Sequence, residues 1–319
     1  MTQQDYASAL QPFGYTQQEA KFVATVALHS GYFLRRQYNP KRGKAANDLC
    51  RKTVALRHAS PTAWGTTSLY HLSAKPLYRA LGQTDNRHRR DQDSFHLRAK
   101  VMGLDYVLLH PQFRYLPTEE DKINYFCGTL GIKEGVLPTK VYTGSNNAIT
   151  QRYFVDKYPI RIDPQTKRVA FCYIDDGVYT PPGFNTWLKQ YSPLLSALGC
   201  AEIVYVATSS SEFPVAQREF AKSFPSIDGI LDAEVLAYFE QRRRIEERGA
   251  VGLTQAHLDT YRRLSRKYQE ICFERQYALW RGIAGATAQP LEVGFSTFVL
   301  PFCYSFFSRV AKIKGGTLS

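Results

Sequence analysis

The stretch KRGKAANDLCRKTVALRHASPTAWGTTSLYHL, residues 41–72, joins two different backbone patterns. In its first half, apolar residues recur at three- and four-residue spacing, which predicts a helix with one inner face. The residues of that face are Ala45, Leu49, Thr53 and Leu56. In its second half, β-favouring residues lie on both sides of Trp64-Gly65, which predicts a two-stranded hairpin.

Two further helices are predicted before this stretch. TQQEAKFVATVALHSG, residues 16–31, opens with the N-cap candidate Thr16 and has Glu19 three residues later, as in a capping box. YFLRRQY, residues 32–38, is long enough for a second, short helix. Three helices followed by a hairpin are the order of a winged helix-turn-helix domain, which we predict for residues 1–90.

Positive charge is concentrated in the same part of the chain. The protein has a net charge of +13, and residues 31–100 hold 15 Lys or Arg against 4 Asp or Glu. A basic patch confined to one region is the electrostatic footprint of a polyanion, because Lys and Arg neutralise phosphates and release condensed counterions. We therefore expect double-stranded DNA as the partner. A solvated basic surface and a protein-binding winged helix are the alternatives.

The third predicted helix is the one expected to read DNA. The major groove is wide enough to admit an α-helix, and outward Lys, Arg and Asn side chains reach phosphates and base edges there. The hairpin is expected to hold the DNA backbone or the minor groove. His58 and His71 are expected as surface or groove contacts rather than as catalytic residues. The residues predicted to bind DNA are Lys41, Arg42, Lys44, Asn47, Arg51, Lys52, Arg57, Thr66 and Thr67.

Length and composition indicate two domains. The chain has 319 residues, which is longer than one ordinary domain, and its 44 % hydrophobic content is enough to form cores. We interpret GQTDNRHRRDQ, residues 82–92, as a linker between domains that span residues 1–90 and 91–319. The longest apolar run, VGFSTFVLPFCYSFF, is too short for a membrane span. Without an export signal or a CxxC pair, we expect a cytoplasmic, nucleoid-associated protein with reduced, buried cysteines.

The second half of the sequence predicts an α/β core. DSFHLRAKVMGLDYVLLHP, residues 93–111, predicts a connecting helix. YPIRIDPQTKRVAFCYIDDG, residues 158–177, predicts two strands around the Asp163-Pro164 turn, and the second is apolar enough to be central in a sheet. FNTWLKQYSPLLSALG, AEIVYVATSSS and FPVAQREFAKSF then predict a helix, a strand and a helix. This order is typical of a restriction-endonuclease-like α/β core.

The predicted winged helix, connecting helix and core together resemble the replication-relaxation family of plasmids and other mobile elements, whose C-terminal half is similar to a degenerate endonuclease. The resemblance covers residues 13–110 and 157–225. In that family the first strand ends near Pro-Asp, and the second carries Glu-x-Asp followed by a basic or small residue. Here Asp163 matches the first acid, Tyr173 stands at the Glu position and Asp175 matches the second Asp. The resemblance implies a DNA-binding protein of a mobile element.

The aspartates of this segment allow two interpretations. Asp163, Asp175 and Asp176 would form the carboxylate cluster of a nuclease, in which two carboxylates hold Mg²⁺ and a Lys assists the attacking water. Alternatively they belong to ordinary turns at the surface, which Asp, Gly and Pro favour, and Asp175→Asn would then cost little stability, as surface changes usually do. No Lys follows Asp175 and Asp176 at the catalytic spacing. We therefore expect no catalytic residue, no metal and no cofactor.

Residues 232–285 predict a helical insertion. Its second helix carries a stripe of residues at three- and four-residue steps, which must be buried on something. The stripe either packs on its own chain or forms a homodimer contact. The run Arg242, Arg243 and Arg244 is expected on a solvated face rather than in a second DNA patch. The residues of the stripe are Leu258, Tyr261, Leu264, Tyr268, Ile271 and Arg275.

The sequence as a whole predicts an α/β protein with an N-terminal winged helix-turn-helix domain and a C-terminal restriction-endonuclease-like domain. It favours a non-enzymatic, sequence-reading DNA-binding protein of a mobile genetic element. Such a protein would act as a transcription regulator or as an accessory factor in plasmid replication or transfer. The alternative is a metal-dependent DNA nuclease that its winged helix directs to the target.

Overall fold

The computed structural model describes residues 3–38, 43–64, 67–91, 94–143, 149–178, 180–224, 233–249, 254–268, 273, 277, 280–281 and 292–304. Within these ranges the chain has a mixed α/β fold with one three-stranded sheet, one five-stranded sheet and a separate hairpin. None of the described helices is long and apolar enough to cross a membrane.

The N-terminal part of the chain surrounds the three-stranded sheet with helices. The sheet is antiparallel, in the order β1-β3-β2, and Phe33 pairs with Tyr70 while Trp64 pairs with Thr67. The helices are α1 (Gln3–Leu10), α2 (Gln17–His29), α3 (Arg35–Tyr38), α4 (Gly43–Ala55) and α5 (Lys75–Ala80). The strands are β1 (Tyr32–Leu34), β2 (Ala59–Trp64) and β3 (Thr67–Leu72).

The predicted capping box starts α2. The Thr16 side chain accepts a hydrogen bond from the Glu19 backbone N–H, and the Glu19 carboxylate accepts one from the Thr16 N–H at 2.9 Å. Both bonds satisfy donors that the first turn of a helix leaves without partners. The apolar face of α2, including Val23 and Val26, is fully buried.

Two of the four residues predicted for the inner face of α4 are not buried. Leu49 and Thr53 are buried as expected, but Ala45 is half-buried, and Leu56 follows the helix and is 39 % exposed. The residues buried beside Leu49 and Thr53 are Ala46 and Cys50. The stripe is therefore i, i+3, i+4, i+7, which follows the 3.6-residue period of the helix more closely than a run of four-residue steps.

One prediction for this part of the chain is wrong. Residues 32–38 do not form a single helix, because Tyr32–Leu34 extend as β1 and pair with β3. Within the predicted linker, Arg87–Arg89 form a short 3₁₀ helix in which the His88 side chain is buried. The backbone of His88 lies close to Gly31, which follows α2 and has a φ of +75°. A Cβ atom added at Gly31 would be 2.5 Å from the His88 carbonyl oxygen.

The rest of the chain forms the five-stranded sheet and its helices. The helices are α6 (Ser94–Leu109), α7 (Glu119–Ile123), α8 (Thr180–Leu198), α9 (Phe213–Ser223), α10 (Ala233–Arg248) and α11 (Gln255–Lys267). The strands are β4 (Arg114–Tyr115), β5 (Thr139–Thr143), β6 (Ile149–Tyr153), β7 (Ile160–Ile162), β8 (Val169–Ile174), β9 (Cys200–Ala207) and β10 (Glu292–Val299). β5 and β6 form the separate hairpin.

The five-stranded sheet has the order β10-β9-β8-β7-β4, with β8, β9 and β10 parallel and β7 and β4 antiparallel to their neighbours. β8 is buried on both faces, as its apolar sequence predicts. α8 and α9 cover one face through a cluster that includes Phe184 and Trp187. α6 covers the other face, and its Val101 and Met102 belong to a cluster that also contains Leu34 and Trp64 of the N-terminal sheet.

A buried ion pair joins α3 to α6 and to the end of the large sheet. The Arg36 guanidinium donates two hydrogen bonds of 2.7 Å to the Asp105 carboxylate, whose side chain is 2 % exposed. The Tyr304 hydroxyl, just after β10, donates a third to Asp105 at 2.5 Å. The Phe302 ring lies under Arg36, with 4.1 Å between the guanidinium carbon and the ring centroid. Because these groups come from three segments, the pair fixes α3 relative to the large sheet.

α10 and α11 pack on each other and share a small core. Leu264 and Tyr268 of the predicted stripe are buried against Val235, Tyr238 and Phe239 of α10. Leu258 and Tyr261 are half-buried, while Ile271 and Arg275 lie outside the described residues. The stripe is therefore covered at least in part by its own chain, and a homodimer through residues 232–285 stays a prediction.

The cysteines do not share one environment. Cys50 and Cys172 are buried as expected, and Cys127 is half-buried. Cys200 and Cys303 are exposed, so the expectation of uniformly buried thiols is wrong. Cys272 lies outside the described residues. All five described thiols are free.

Candidate nucleic-acid interface

The outward face of α4 carries three exposed charged side chains. Lys44, Asp48 and Arg51 are all exposed, at the four- and three-residue steps that put them on one side of a helix. Asn47 is half-buried, and its side-chain oxygen accepts a hydrogen bond of 3.0 Å from Arg35 on α3. The face thus presents two cations with one carboxylate between them. A carboxylate there lowers the local positive potential and favours a partner that offers both acceptors and donors.

Lys52 has a different environment from the other predicted contacts. Its ammonium group lies 2.6 Å from the Glu19 carboxylate and 3.2 Å from the Gly14 carbonyl oxygen. Glu19 is the capping-box residue of α2. Burial raises the pKa of its carboxyl group, but Lys52 and Thr16 together lower it further, so the pKa lies below its ordinary value. Lys52 therefore ties α4 to the start of α2 and is less available to DNA than Lys44 or Arg51.

The remaining predicted contacts lie around the ends of the hairpin. Arg57 is exposed after α4, in the left-handed conformation with φ of 55°. Thr67 begins β3 and is half-buried. The outer strand β2 exposes Ser60 and Thr62, whose hydroxyl groups the sequence patterns did not single out. Three predicted contacts lie outside the described residues, namely Lys41, Arg42 and Thr66.

The two histidines near this surface are not surface groups. His58 is 5 % exposed, and its Nδ1 lies 2.9 Å from the Tyr15 hydroxyl. His71 is 6 % exposed, stacks on Tyr32 with 4.1 Å between ring centroids, and its Nε2 lies 2.8 Å from the His88 carbonyl oxygen. Burial lowers the pKa of both rings. Both histidines therefore contribute to packing, and the expectation of groove contacts is wrong for them.

The three aspartates of the possible nuclease site do not come together. Asp163 occupies the β7–β8 turn, where its carboxylate accepts hydrogen bonds from the Gln165 and Thr166 N–H groups. Asp175 and Asp176 follow the opposite end of β8, and the 6 residues of that strand span about 20 Å. Among the described residues, no group of three His, Cys, Asp or Glu is arranged to hold a metal ion.

Asp175 and Asp176 do form turns, but the turns are buried. Their carboxylates accept hydrogen bonds from the N–H groups of Gly177 and Val178, as turn residues do. Yet Asp175 is 4 % exposed and Asp176 is 8 % exposed, so the expectation of surface positions is wrong. The hydroxyl of Tyr205, on β9, donates to Asp175 at 2.5 Å. The tyrosine therefore supplies a donor that a buried carboxylate needs.

The surroundings of Asp176 are polar and lie where α/β sheets commonly bind ligands. Asp176, Thr208 and the Leu300–Tyr304 segment follow the carboxyl ends of parallel strands, the usual position of such sites. Burial raises the pKa of Asp176, and the nearby Arg98 opposes that increase. Arg98 reaches Thr208 at 3.5 Å. The carboxylates of Asp175 and Asp176 thus have hydrogen-bond donors within the protein, namely the Gly177 and Val178 N–H groups and the Tyr205 hydroxyl.

One basic cluster was missed by the sequence patterns. Lys100, Lys122 and Lys157 come from three separate segments, and burial lowers the pKa of each of them. No spacing in the sequence marks them as neighbours, because only the packing of α6, α7 and the end of β6 brings them together. A weak signal was present in the charged stretch 82–92, whose residues 82–88 line a cleft together with Lys122 and Lys157.

Comparison with protein-family models, with curated proteins and with solved structures gives no match to this chain.

Proposed function

We propose that the chain is a sequence-reading DNA-binding protein that inserts α4 into the major groove of duplex DNA. The observation that carries the proposal is the order of elements from α2 to β3, namely helix, strand, short helix, helix and hairpin, with β1 paired to β3. That order is typical of a winged helix, in which the helix before the hairpin reads DNA. The exposed Lys44 and Arg51 on α4 and the local excess of cations support the same assignment.

The proposal extends to the rest of the chain. We infer that α6, β7, β8, α8 and β9 form a degenerate endonuclease-like core that supports the winged helix and does not cut DNA. The separation of Asp163 from Asp175 and the absence of a Lys at the catalytic spacing after Asp175 and Asp176 support a non-catalytic role, since phosphodiester hydrolysis needs converging metal ligands and a nearby cation. A regulator or accessory factor of a mobile genetic element fits this combination.

The full chain is the right material for a binding test. Leu34, Trp64 and Leu69 of the N-terminal sheet are buried in a cluster with α6, so residues 1–90 alone would expose apolar side chains. We expect the full chain to bind duplex DNA with an affinity that falls steeply with salt. The slope of log affinity against log salt is about −0.9 for each phosphate contacted. An affinity that stays flat between low and physiological salt would contradict the proposal.

The test variant is Arg51→Ala, with Arg244→Ala as the matched control. Both arginines are exposed on helices, but Arg244 lies on α10. We expect Arg51→Ala to weaken binding by about 1 to 3 kcal/mol if Arg51 contacts a base edge, or to reduce the salt slope by about 0.9 if it contacts a phosphate. Arg244→Ala should bind like the unchanged protein. Equal losses would move the DNA surface away from α4.

The nuclease alternative has its own test. Purified protein is incubated with supercoiled and linear DNA in Mg²⁺ or Mn²⁺, and nicks are counted on a gel. We expect no cleavage. Nicking that disappears in Asp175→Asn, while the variant still binds DNA and stays folded, would replace the proposed binding role with a nuclease.

A further inference from the structure

A cleft lined mostly by polar residues lies between residues 82–88, α7 and the end of β6. It has a volume of about 630 Å³, and its walls are residues 82–88, residues 117–120 and 122–124 in and around α7, and residues 152–155 and 157 at the end of β6 and just after it. This volume falls in the range of about 300 to 1,000 Å³ that is typical of small-molecule sites. The cationic side chains that line the cleft are Arg87, Lys122, Arg152 and Lys157.

Lys157 is the central cation of the cleft. Its backbone has φ of 57°, a left-handed conformation that non-glycine residues rarely adopt. Its side chain is half-buried and makes no hydrogen bond or ion pair with the described part of the chain. Burial, and then the charges of Arg87 and Arg152, lower the pKa of Lys157 to about 8. Glu119 opposes this decrease, but the ammonium group forms no ion pair within the described residues and lies mainly among like charges.

Lys122 and Lys100 extend the same excess of positive charge inward. Lys122 is 3 % exposed, and its ammonium group donates a hydrogen bond of 3.5 Å to the Tyr158 carbonyl oxygen and lies 5.5 Å from the centroid of the Phe154 ring. Burial lowers the pKa of Lys122 to about 8, against the opposing effect of the Asp156 carboxylate, and Lys157 adds to the decrease. Lys100, behind the cleft, lies 3.2 Å from the His88 Nδ1, and burial together with Lys157 lowers its pKa to about 7.

The carboxylates around the cleft offset these cations only in part. Glu119 acts on both Lys122 and Lys157, but it is already engaged by Arg152 at 2.8 Å and by the Tyr153 N–H at 2.8 Å. Asp156 and Asp121 also act on Lys122, although neither lines the cleft. Asp85 and Glu120 are exposed at the rim, where water screens their charge. The four cations that line the cleft therefore outnumber its three carboxylates.

We propose that this cleft binds the phosphate groups of a small phosphorylated molecule. A phosphate adds negative charge beside Lys122 and Lys157 and accepts hydrogen bonds from both ammonium groups and from Arg87. The concave shape admits a compact ligand, whereas a DNA duplex presents its phosphates on a convex surface. The inference does not depend on DNA binding by α4, because α4 contributes no residue to the cleft.

The first test is calorimetric titration of the full chain with inorganic pyrophosphate at pH 8, in two buffers with different enthalpies of ionisation. We expect saturable binding with one site for each chain. An approaching anion favours the charged form of Lys122 and Lys157, so binding should take up protons and the observed heat should depend on the buffer. Absence of binding at millimolar pyrophosphate, or binding without proton uptake, would overturn the proposal.

The test variant is Lys157→Met, with Lys133→Met as the matched control on an exposed lysine outside the cleft. Because Lys157 has no partner within the described chain, the variant is expected to fold. It should bind pyrophosphate at least about tenfold more weakly, the loss expected for one charge-assisted hydrogen bond. Lys133→Met should bind like the unchanged protein. Equal affinity in all three proteins would refute the assignment of the cleft.

A competition experiment separates the two sources of phosphate. Pyrophosphate binding that persists in the presence of saturating duplex DNA supports a small-molecule ligand. If duplex DNA displaces pyrophosphate and Lys157→Met weakens DNA binding as well, the cleft holds DNA backbone phosphates and the small-molecule assignment falls.

Discussion

Removing Arg36 should destabilise the protein more than removing its partner Asp105. The two side chains form a bidentate pair, but the Arg36 side chain is 29 % exposed and that of Asp105 is 2 % exposed. In Arg36→Met, the Asp105 carboxylate stays buried with only the Tyr304 hydroxyl as a donor. In Asp105→Leu, the guanidinium keeps access to water and still lies over the Phe302 ring.

The expected magnitudes follow from this asymmetry. Removing one partner of a buried ion pair costs about 3 to 5 kcal/mol when it leaves an uncompensated charge, and this range applies to Arg36→Met. A group that is left unsatisfied but partly hydrated costs about 1 to 3 kcal/mol, which applies to Asp105→Leu. The double variant Arg36→Met/Asp105→Leu leaves no buried charge, so it should be more stable than Arg36→Met alone.

Urea unfolding followed by circular dichroism measures these differences. Arg35→Met is the control, because Arg35 is exposed and should cost no more than about 0.5 kcal/mol. The reasoning is refuted if Arg36→Met is no less stable than Arg35→Met, or if the double variant is less stable than Arg36→Met. Either result would mean that water reaches Asp105.

Three further predictions concern stability and are measured by thermal or urea unfolding. Tyr205→Phe should cost about 1 to 3 kcal/mol, because it leaves the buried Asp175 carboxylate without its hydroxyl donor; a neutral result would indicate a hydrated carboxylate. Gly31→Ala should cost more than about 1 kcal/mol, since its φ is +75° and the new Cβ would meet the His88 oxygen; wild-type stability would show that the His88 segment moves freely. Stability should rise as the pH increases from about 8 to about 10. In the folded chain the pKa of Lys157 is about 8 against an ordinary 10.5, so the unfolded state binds more protons in this window. Lys157→Met should reduce the slope, and a steeper slope in the variant would contradict the assignment.

The sequence predicted those elements whose formation depends on interactions between residues close together in the chain. The capping box of Thr16 and Glu19 and the apolar period that follows it were enough to predict α2, because both act within a few residues. β8 was predicted as a central strand because its sequence is almost wholly apolar. In the structure all of its residues are buried. The Asp163-Pro164 turn between β7 and β8 was equally clear.

Features that depend on contacts between distant segments were not predicted. β1 forms where YFLRRQY suggested a helix, because pairing with β3 outweighs the weak helix preference of a short segment. Polarity made residues 82–92 look like a linker, and it gave no sign that Arg87–Arg89 would form a 3₁₀ helix and bury His88. Exposure of Asp175 was assumed from its turn signal, but Tyr205 lies too far along the chain for the sequence to indicate their contact.

The position of β10 has a consequence for synthesis of the protein. β10 is the parallel neighbour of β9 in the sheet, yet the segment with α9, α10 and α11 separates the two strands in the chain. At about 5 to 20 residues per second, a ribosome needs roughly 4 to 17 s to make the chain between them. During this delay the edge of β9 has no partner strand, and an open edge is a template for pairing with other chains. Because α10 and α11 share a small core of their own, the insertion can fold before β10 is made and joins the sheet.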